Sequence, residues 1–304
     1  MAEPTATTGS SANSGGLHFG WLSPVIGNAG SNHEPIVMYQ DREILAEALP
    51  YFDSLWVADH FYGFDAKTDP FLEAWTTLTW LAARYEHIEL CHHVLGHGYR
   101  PAALTAKMAA TLQTLSGGRF VLGIGAGWRE DEYAAYGYDF PSPLVRFGQL
   151  EDVIDICRLM WTEDEPTFHG RYFSIDGASA PPLPNPVPKI CIGARGTQIG
   201  LPLVGRKADR WNCSYLGADD WQMRHDVVRR AAEGAGRDPN VIEVGTTVER
   251  PLPTSDVESE KLLEELTVMR ELGITHFTMD FGHPLSAEPV HRFAEQVIQV
   301  MRGE

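Results

Sequence analysis

The feature that most constrains the fold is the alternation of short apolar runs with longer segments of helical periodicity. The runs lack strict polar alternation, which is typical of parallel strands covered on both faces. Eight runs are predicted as strands: Leu17–Leu22, Ser54–Val57, Ile88–Val94, Phe120–Ile124, Ile190–Ile192, Arg210–Cys213, Ile242–Thr247 and Thr275–Asp280. Helices are predicted between most of them, including 71–83, 101–115, 150–161 and 259–272. This α/β pattern favours a (β/α)8 TIM barrel with insertions over a short doubly wound sheet.

The chain is expected to form a single domain over residues 17–304, because α/β barrels often reach ~250 residues as one unit. Residues 1–16 are rich in Ala, Ser, Thr and Gly and are predicted to be a disordered tail. They lack the basic and apolar segments of a secretory signal. Residues 128–188 are too long for one βα unit and are interpreted as an insertion with one helix and irregular chain. The first helix, Val37–Pro50, is weakly marked.

Charge and cysteine usage restrict the partners and the compartment. Against 24 Lys and Arg stand 41 Asp and Glu, a net charge of −17, which disfavours nucleic acid and anionic membrane surfaces. No apolar run approaches the ~20 residues of a membrane span. The four cysteines form no CxxC pair, which argues against a disulfide scaffold or a cysteine zinc site. We therefore expect a cytoplasmic protein with free thiols.

Candidate catalytic residues follow the second predicted strand, since ligands of such barrels bind at the carboxyl ends of the strands. Asp59 and His60 stand directly after Leu55–Val57. An imidazole at this position can act as a base or a hydrogen-bond donor near neutral pH. The alternative is that Asp59 caps the following turn and His60 only packs. Position alone leaves both interpretations open.

Three histidines at the third predicted strand raise the question of a metal site. His92, His93 and His97 lie within six residues. The His93–His97 spacing suits two ligands on a helix, but this segment has the pattern of a strand and a Gly-rich loop, and no third ligand is evident. We therefore predict no metal and instead a polar pocket, with His92 or His93 pointing inward depending on register.

Two glycine clusters also follow predicted strands. The first, Gly123–Trp128, contains GxGxG but not the full GxGxxG of a dinucleotide-binding turn. Its glycines indicate close approach of a ligand or of a neighbouring strand. The second, Gly193–Thr197, precedes the helical segment 201–207 and could bind an anion through backbone N–H groups and Arg195, with an ordinary turn as the alternative. Aromatic residues near strand ends suit a flat ligand or core packing: Trp21, Phe61, Tyr62, Trp128, Trp211 and Phe281.

Taken together, these segments resemble a known family. Residues 115–128 (LSGGRFVLGIGAGW), followed by Glu132, Tyr133 and YGYDFP at 136–141, are similar to the signature of luciferase-like monooxygenases. The closest likeness is to the branch that uses the deazaflavin coenzyme F420. DSLWVADHF at 53–61 and ADRWN at 208–212 extend the resemblance over nearly the whole chain after the tail.

The resemblance implies a luciferase-like barrel, usually a homodimer, with the cofactor ring at the barrel mouth. By similarity, His60 and Asp59 lie at the reaction centre. The residues expected to bind the cofactor are Trp21, His92, His93, Gly96, Gly125, Ala126, Gly127, Trp128, Gly193, Ala194, Arg195, Gly196 and Thr197. Trp128 stands where sugar-phosphate dehydrogenases of the superfamily carry an acidic residue, so that activity is not expected.

The leading hypothesis is hydride transfer between coenzyme F420 and a small organic substrate, with His60 as proton donor or acceptor. The first alternative is a two-component monooxygenase that uses reduced FMN and O2 in a shielded pocket. A non-catalytic flavin-binding protein is a third alternative, against which the presence of Asp59, His60 and the glycine signature argues. The expected partners are a small-molecule substrate, an enzyme that reduces the cofactor, and a second copy of the chain.

Overall fold

The computed structural model describes residues 16–23, 49–64, 66–282 and 286–303, and its main sheet is a closed barrel of eight parallel strands. The strands in chain order are β1 (His18–Leu22), β2 (Ser54–Val57), β3 (Glu89–His92), β4 (Leu95–Gly96), β5 (Phe120–Gly125), β6 (Phe168–His169), β7 (Ser174–Ile175), β8 (Lys189–Gly193), β9 (Arg210–Ser214), β10 (Glu243–Glu249) and β11 (His276–Asp280). The sheet runs β3-β2-β1-β11-β10-β9-β8-β5, and pairing of β3 with β5 closes it. The predicted (β/α)8 barrel is confirmed.

Helices surround the barrel. They are α1 (Ala74–Arg84), α2 (Ala102–Leu115), α3 (Glu130–Ala135), α4 (Pro143–Thr162), α5 (Gly200–Lys207), α6 (Ala218–Gly234), α7 (Asp256–Glu271), α8 (Ala287–Phe293) and α9 (Val300–Arg302), the last two joined by a π-helical turn, Ala294–Gln299. Local side chains fix some of the starts. The Glu73 carboxylate accepts hydrogen bonds from the first N–H groups of α1, and the Ser255 hydroxyl does the same for α7. Among the described helices, none has the length and apolarity that crossing a membrane requires.

The third barrel strand differs from its prediction. The single run predicted over Ile88–Val94 is two strands, β3 and β4, and the peptide bond between His93 and Val94 is cis. Here β4 continues the ladder on β5, with Leu95 opposite Ile124. The break places the His93 and Val94 side chains at the carboxyl end of the barrel, where both line the cavity described below.

The long insertion is also more ordered than predicted. Instead of one helix and irregular chain, it contains α3, α4 and the antiparallel β6–β7 hairpin. Helix α4 begins at Pro143, because proline at the first helical turn has no N–H to leave unsatisfied. Most of the weakly marked first helix and almost all of the predicted tail lie outside the described residues.

The amino ends of the strands are closed by buried charge. Arg210, the first residue of β9, is 1% exposed and donates to Glu89 at 2.6 Å and to Glu243 at 2.7 Å. Above this network the barrel interior holds a small apolar cluster that includes Trp56 and Cys91. The amino end is therefore filled and charge-paired, which leaves the carboxyl end for ligands.

Candidate active site

A cavity of about 930 Å³ opens at the carboxyl ends of the strands. Its walls come from the segments that follow most of the barrel strands, as expected for the ligand site of this fold. The lining residues are Leu22, Ser23, Ala58, Asp59, His60, Phe64, Asp69, His93, Val94, Leu95, Gly96, Tyr99, Gly125, Ala126, Gly127, Trp128, Phe147, Gly193, Ala194, Arg195, Gly196, Asn212, Cys213, Ser214, Thr247, Glu249, Asp280 and Gly282.

His60 lines this cavity and is held by a carboxylate that the sequence did not single out as a site residue. Its Nδ1 lies 2.8 Å from Oε2 of Glu132, a fully buried residue of α3. The same carboxylate accepts hydrogen bonds from the backbone N–H of Phe61 at 2.5 Å and from the hydroxyl of Tyr99 at 2.8 Å. Three donors therefore fix Glu132, and Glu132 fixes the imidazole ring.

The contact of this pair determines which ring nitrogen of His60 carries the proton. Burial raises the pKa of the Glu132 carboxyl, but hydrogen bonds from His60, Phe61 and Tyr99 outweigh it, and the net shift is downward. An ionised Glu132 requires Nδ1 of His60 to carry the proton. In the neutral imidazole Nε2 then holds a lone pair, and no hydrogen bond engages it within the described part of the chain. This nitrogen is available to accept a substrate proton, and the imidazolium that forms would be stabilised by Glu132.

Asp59, predicted as catalytic, has a different environment. Its two oxygens each lie 3.0 Å from the Arg100 guanidinium, and Oδ2 also accepts the N–H of Gly96 at 3.0 Å. Arg100 extends the network to Glu73, which caps α1. Both carboxylate oxygens are thus occupied within the protein. These contacts tie β2 to β4, and Asp59 also lines the cavity, so they add a positioning role to the catalytic one, which stays a prediction.

A hydrogen-bonded chain forms the base of the cavity. Nε2 of His93 lies 2.7 Å from the hydroxyl of Thr247, which donates to Oδ1 of Asn212 at 2.9 Å. The Asn212 amide in turn donates to Thr278 at 3.2 Å. Since the Thr247 proton is used, Nε2 of His93 must be the donor to it. Burial lowers the pKa of His93, which keeps this imidazole neutral at pH 7.

Most glycines of the two glycine clusters are explained by internal packing. A Cβ on Gly125 would lie 2.9 Å from Cγ2 of Val94, and one on Gly193 would lie 2.7 Å from the same atom. Gly127 has a φ of 74° and faces the ring of Tyr133. Only Gly196, of these glycines, would meet no atom within 4 Å. For Gly125, close approach of a neighbouring segment, that of Val94, therefore accounts for the missing side chain, and the same atom restricts Gly193; both glycines also line the cavity. The anion-site interpretation of Gly193–Thr197 stays a prediction.

Most of the predicted cofactor residues meet at the cavity. They are His93, Gly96, Gly125, Ala126, Gly127, Trp128, Gly193, Ala194, Arg195 and Gly196. Thr197 does not line it. Trp21 packs between Phe52 and Phe281, outside the cavity lining.

The three histidines of the third-strand segment lie in different environments. His92 packs against Trp75 and Phe120, outside the cavity lining. His97 contacts Gln149 at 3.4 Å, and only His93 reaches the cavity. The structure therefore does not bring Trp21, His92 or Thr197 to the site. Trp21 and His92 lie in strands, where the side chains of successive residues point to opposite faces, and Thr197 lies in the turn after β8.

Two further site residues could have been found from their sequence pattern. Asn212 and Thr247 are polar residues in otherwise apolar runs, which indicates side chains inside the barrel. Glu132 follows the glycine signature closely, but nothing in the sequence tells that it reaches His60 across 72 positions.

Comparison with known proteins identifies relatives of this architecture. The family model for luciferase-like monooxygenases matches residues 29–284. A phthiodiolone/phenolphthiodiolone dimycocerosates ketoreductase of Mycobacterium tuberculosis is 29% identical, over 90% of this chain and 77% of its own. An F420-dependent glucose-6-phosphate dehydrogenase of Amycolatopsis mediterranei is 31% identical, over 81% of this chain and 73% of its own.

Among solved structures, an F420-dependent secondary alcohol dehydrogenase in complex with an F420–acetone adduct superposes with a TM-score of 0.81. It is 19% identical and is covered to 98%, with 93% of this chain aligned, which establishes a shared fold. The family match spans most of the residues from the first barrel strand to the last. The chain belongs to the luciferase-like monooxygenase family.

Proposed function

We propose that this protein is an oxidoreductase that transfers a hydride between coenzyme F420 and a small organic alcohol or carbonyl compound. The observation that carries the proposal is His60, held through Nδ1 by the buried Glu132, with Nε2 left for a substrate in the cavity. The names of the three relatives described above support it. They are a ketoreductase, a sugar-phosphate dehydrogenase and a secondary alcohol dehydrogenase, and the last two depend on F420.

The cavity residues fit such a cofactor. A volume of about 930 Å³ is within the range of cofactor sites and accommodates a flat ring system. Val94, with the backbone of Gly125 and Gly193, would hold the ring. Arg195 and Gly196 would hold its phosphate, because Gly196 faces open space and Arg195 is exposed beside it. When bound, F420 supplies the hydride donor or acceptor.

The chain itself supplies proton transfer and orientation. In the oxidation direction, Nε2 of His60 takes the hydroxyl proton of the alcohol while the carbon–hydrogen bond breaks. In the reduction direction, the same nitrogen returns the proton to the carbonyl oxygen. Glu132 stabilises the charged ring in both cases, as a buried carboxylate does for an imidazole in acyl-transfer triads. Asp59 and Arg100 hold the strand that carries the cavity wall.

We further propose that the protein works as a homodimer in the cytoplasm, with a separate enzyme that restores the redox state of the cofactor. The four cysteines support a reducing compartment, because all four are free and buried. Size-exclusion chromatography with light scattering tests the dimer directly.

The test of the proposed function is turnover without oxygen. F420 and a panel of alcohols and ketones are mixed with the wild type, His60→Ala and His60→Asn, with exposed His169→Ala as the matched histidine control. We expect the His60 variants to bind F420 normally and to lose at least ~100-fold in kcat. Turnover by His60→Ala at the wild-type rate would exclude His60 as the residue that transfers the proton. Product formed only with reduced FMN and oxygen would instead indicate the two-component monooxygenase.

A further inference from the structure

Two exposed aromatic rings stand beside His60. Phe64 is 52% exposed and Trp128 is 66% exposed, and their rings stack at 6.2 Å with an interplanar angle of 17°. Each also meets the edge of the His60 imidazole, at 5.1 Å and 5.6 Å respectively. Both residues line the cavity. A stacked pair of exposed rings that adjoins the proposed acid–base group is apolar surface that a ligand can cover.

Arg129 packs against the stacked rings of Phe64 and Trp128. The Arg129 guanidinium lies 5.4 Å from the Phe64 ring and 5.9 Å from the Trp128 ring, and Arg129 as a whole is only 8% exposed. It donates to the carbonyls of Tyr62 and Gly63 and is paired with Asp131 at 3.1 Å. Its charge is therefore neutralised, and the surface presented to the cavity is aromatic.

The charges around the cavity disfavour an anionic substrate. Asp69, Glu249 and Asp280 line it, and Arg195 is the one Arg or Lys among the described lining residues. Asp69 is 5% exposed, and its Oδ1 has no hydrogen-bond partner within the described residues. A phosphate group on the substrate would meet these carboxylates and would compete for Arg195 with the cofactor.

From these observations we propose that Phe64 and Trp128 form an aromatic clamp that binds the hydrocarbon part of the substrate. The inference rests on the proposed function and deepens it. The substrate class is then a ketone or secondary alcohol with an apolar chain or ring next to the reacting carbon, in place of a sugar phosphate. The carbon chain lies against the clamp while the oxygen faces Nε2 of His60.

The clamp predicts a dependence on chain length. Each methylene group that leaves water is worth ~0.8 kcal/mol, so kcat/KM rises about fourfold per added carbon until the clamp is covered. Glucose 6-phosphate, the polar probe, gives no turnover above background. Because both rings are exposed, their truncation removes contact surface without opening a hole in the core.

The experiment measures the slope of log kcat/KM against chain length for methyl ketones from acetone to 2-octanone. Phe64→Ala and Trp128→Ala are compared with Tyr136→Ala, which removes a ring of similar exposure (51%) outside the cavity lining. We expect each clamp variant to lower the slope at least twofold, and Tyr136→Ala to keep it. Trp128→Phe should restore most of it.

A second readout separates the clamp from the proposed function. Calorimetry follows binding of the same ketones to the protein with and without oxidised F420, where no turnover occurs. Affinity that grows with chain length in the wild type and not in Phe64→Ala supports the clamp even if F420 proves to be the wrong cofactor. Equal slopes in all variants, or tighter binding of glucose 6-phosphate than of 2-octanone, would overturn it.

Discussion

Replacement of Glu132 by glutamine tests how the protein controls its proposed acid–base residue. Among the residues that the structure describes, the backbone N–H of Phe61 donates only to Glu132, so the single amide oxygen of Gln stays on it. The amide NH2 then faces Nδ1 of His60 and the hydroxyl of Tyr99. A donor at that position forces Nδ1 of His60 to accept, which moves the imidazole proton to Nε2. The nitrogen that should receive the substrate proton is then blocked.

The expected loss follows from that tautomer change. General acid–base catalysis is worth ~10²–10⁴-fold, so Glu132→Gln should lower kcat/KM for alcohol oxidation by at least ~100-fold, or about 2.7 kcal/mol of activation free energy. The assay is the oxygen-free change in F420 absorbance. Tyr99→Phe is the control, because it removes one donor and keeps the carboxylate on His60, and it should cost far less. F420 affinity should change little in either variant. A kcat/KM for Glu132→Gln within threefold of wild type would refute the assignment of Glu132.

Three further outcomes concern stability. Gly193→Ala should lower the free energy of unfolding by ~1–3 kcal/mol, because its Cβ would overlap the Val94 side chain. In a double-mutant cycle measured by urea unfolding, Val94→Ala should restore part of this loss, and additive losses would contradict the overlap. Asp59→Ala should cost ~1–3 kcal/mol, since Arg100 keeps only Glu73 as its partner and the N–H of Gly96 loses its acceptor; an unchanged midpoint in thermal melts would count against the positioning role. Burial lowers the pKa of His92 well below 6.5, so at mildly acidic pH the unfolded chain binds a proton that the folded chain does not. The free energy of unfolding should therefore fall as the pH drops from 7.5 to 5.5, and it should fall less steeply in His92→Phe.

The barrel was predictable because its signal is local. Each strand is a short apolar run, and the predicted bounds of β2 agree with the structure, as those of β5 and β9 do to within one residue at the carboxyl end. The broken third strand was not predictable from its apolar pattern, because Ile88–Val94 is continuous in composition. The start of α4 at Pro143 was missed because Pro143 and Gly148 interrupt the helical pattern ahead of Leu150, although proline is tolerated in a first helical turn.

The site was only partly predictable, because its chemistry depends on contacts between distant segments. His60 could be selected by its position after a strand, whereas its partner Glu132 could not, since the register of α3 against β2 is a tertiary property. The register of the third strand also determines which histidine reaches the cavity. The His93 side chain faces the cavity, whereas the His92 side chain packs against Trp75 of α1. The glycines were visible in the sequence, but the Val94 side chain that requires two of them lies in the segment between β3 and β4.

The measurement that tests the central claim most directly is a tryptophan-fluorescence titration of the protein with F420 and with FMN, each in both redox states. The account predicts tight, saturable binding of F420, weaker binding of FMN, and loss of F420 affinity when Arg195 is replaced by alanine. Preferential binding of reduced FMN would contradict the proposed F420 chemistry and would assign the chain to the flavin monooxygenases of its family.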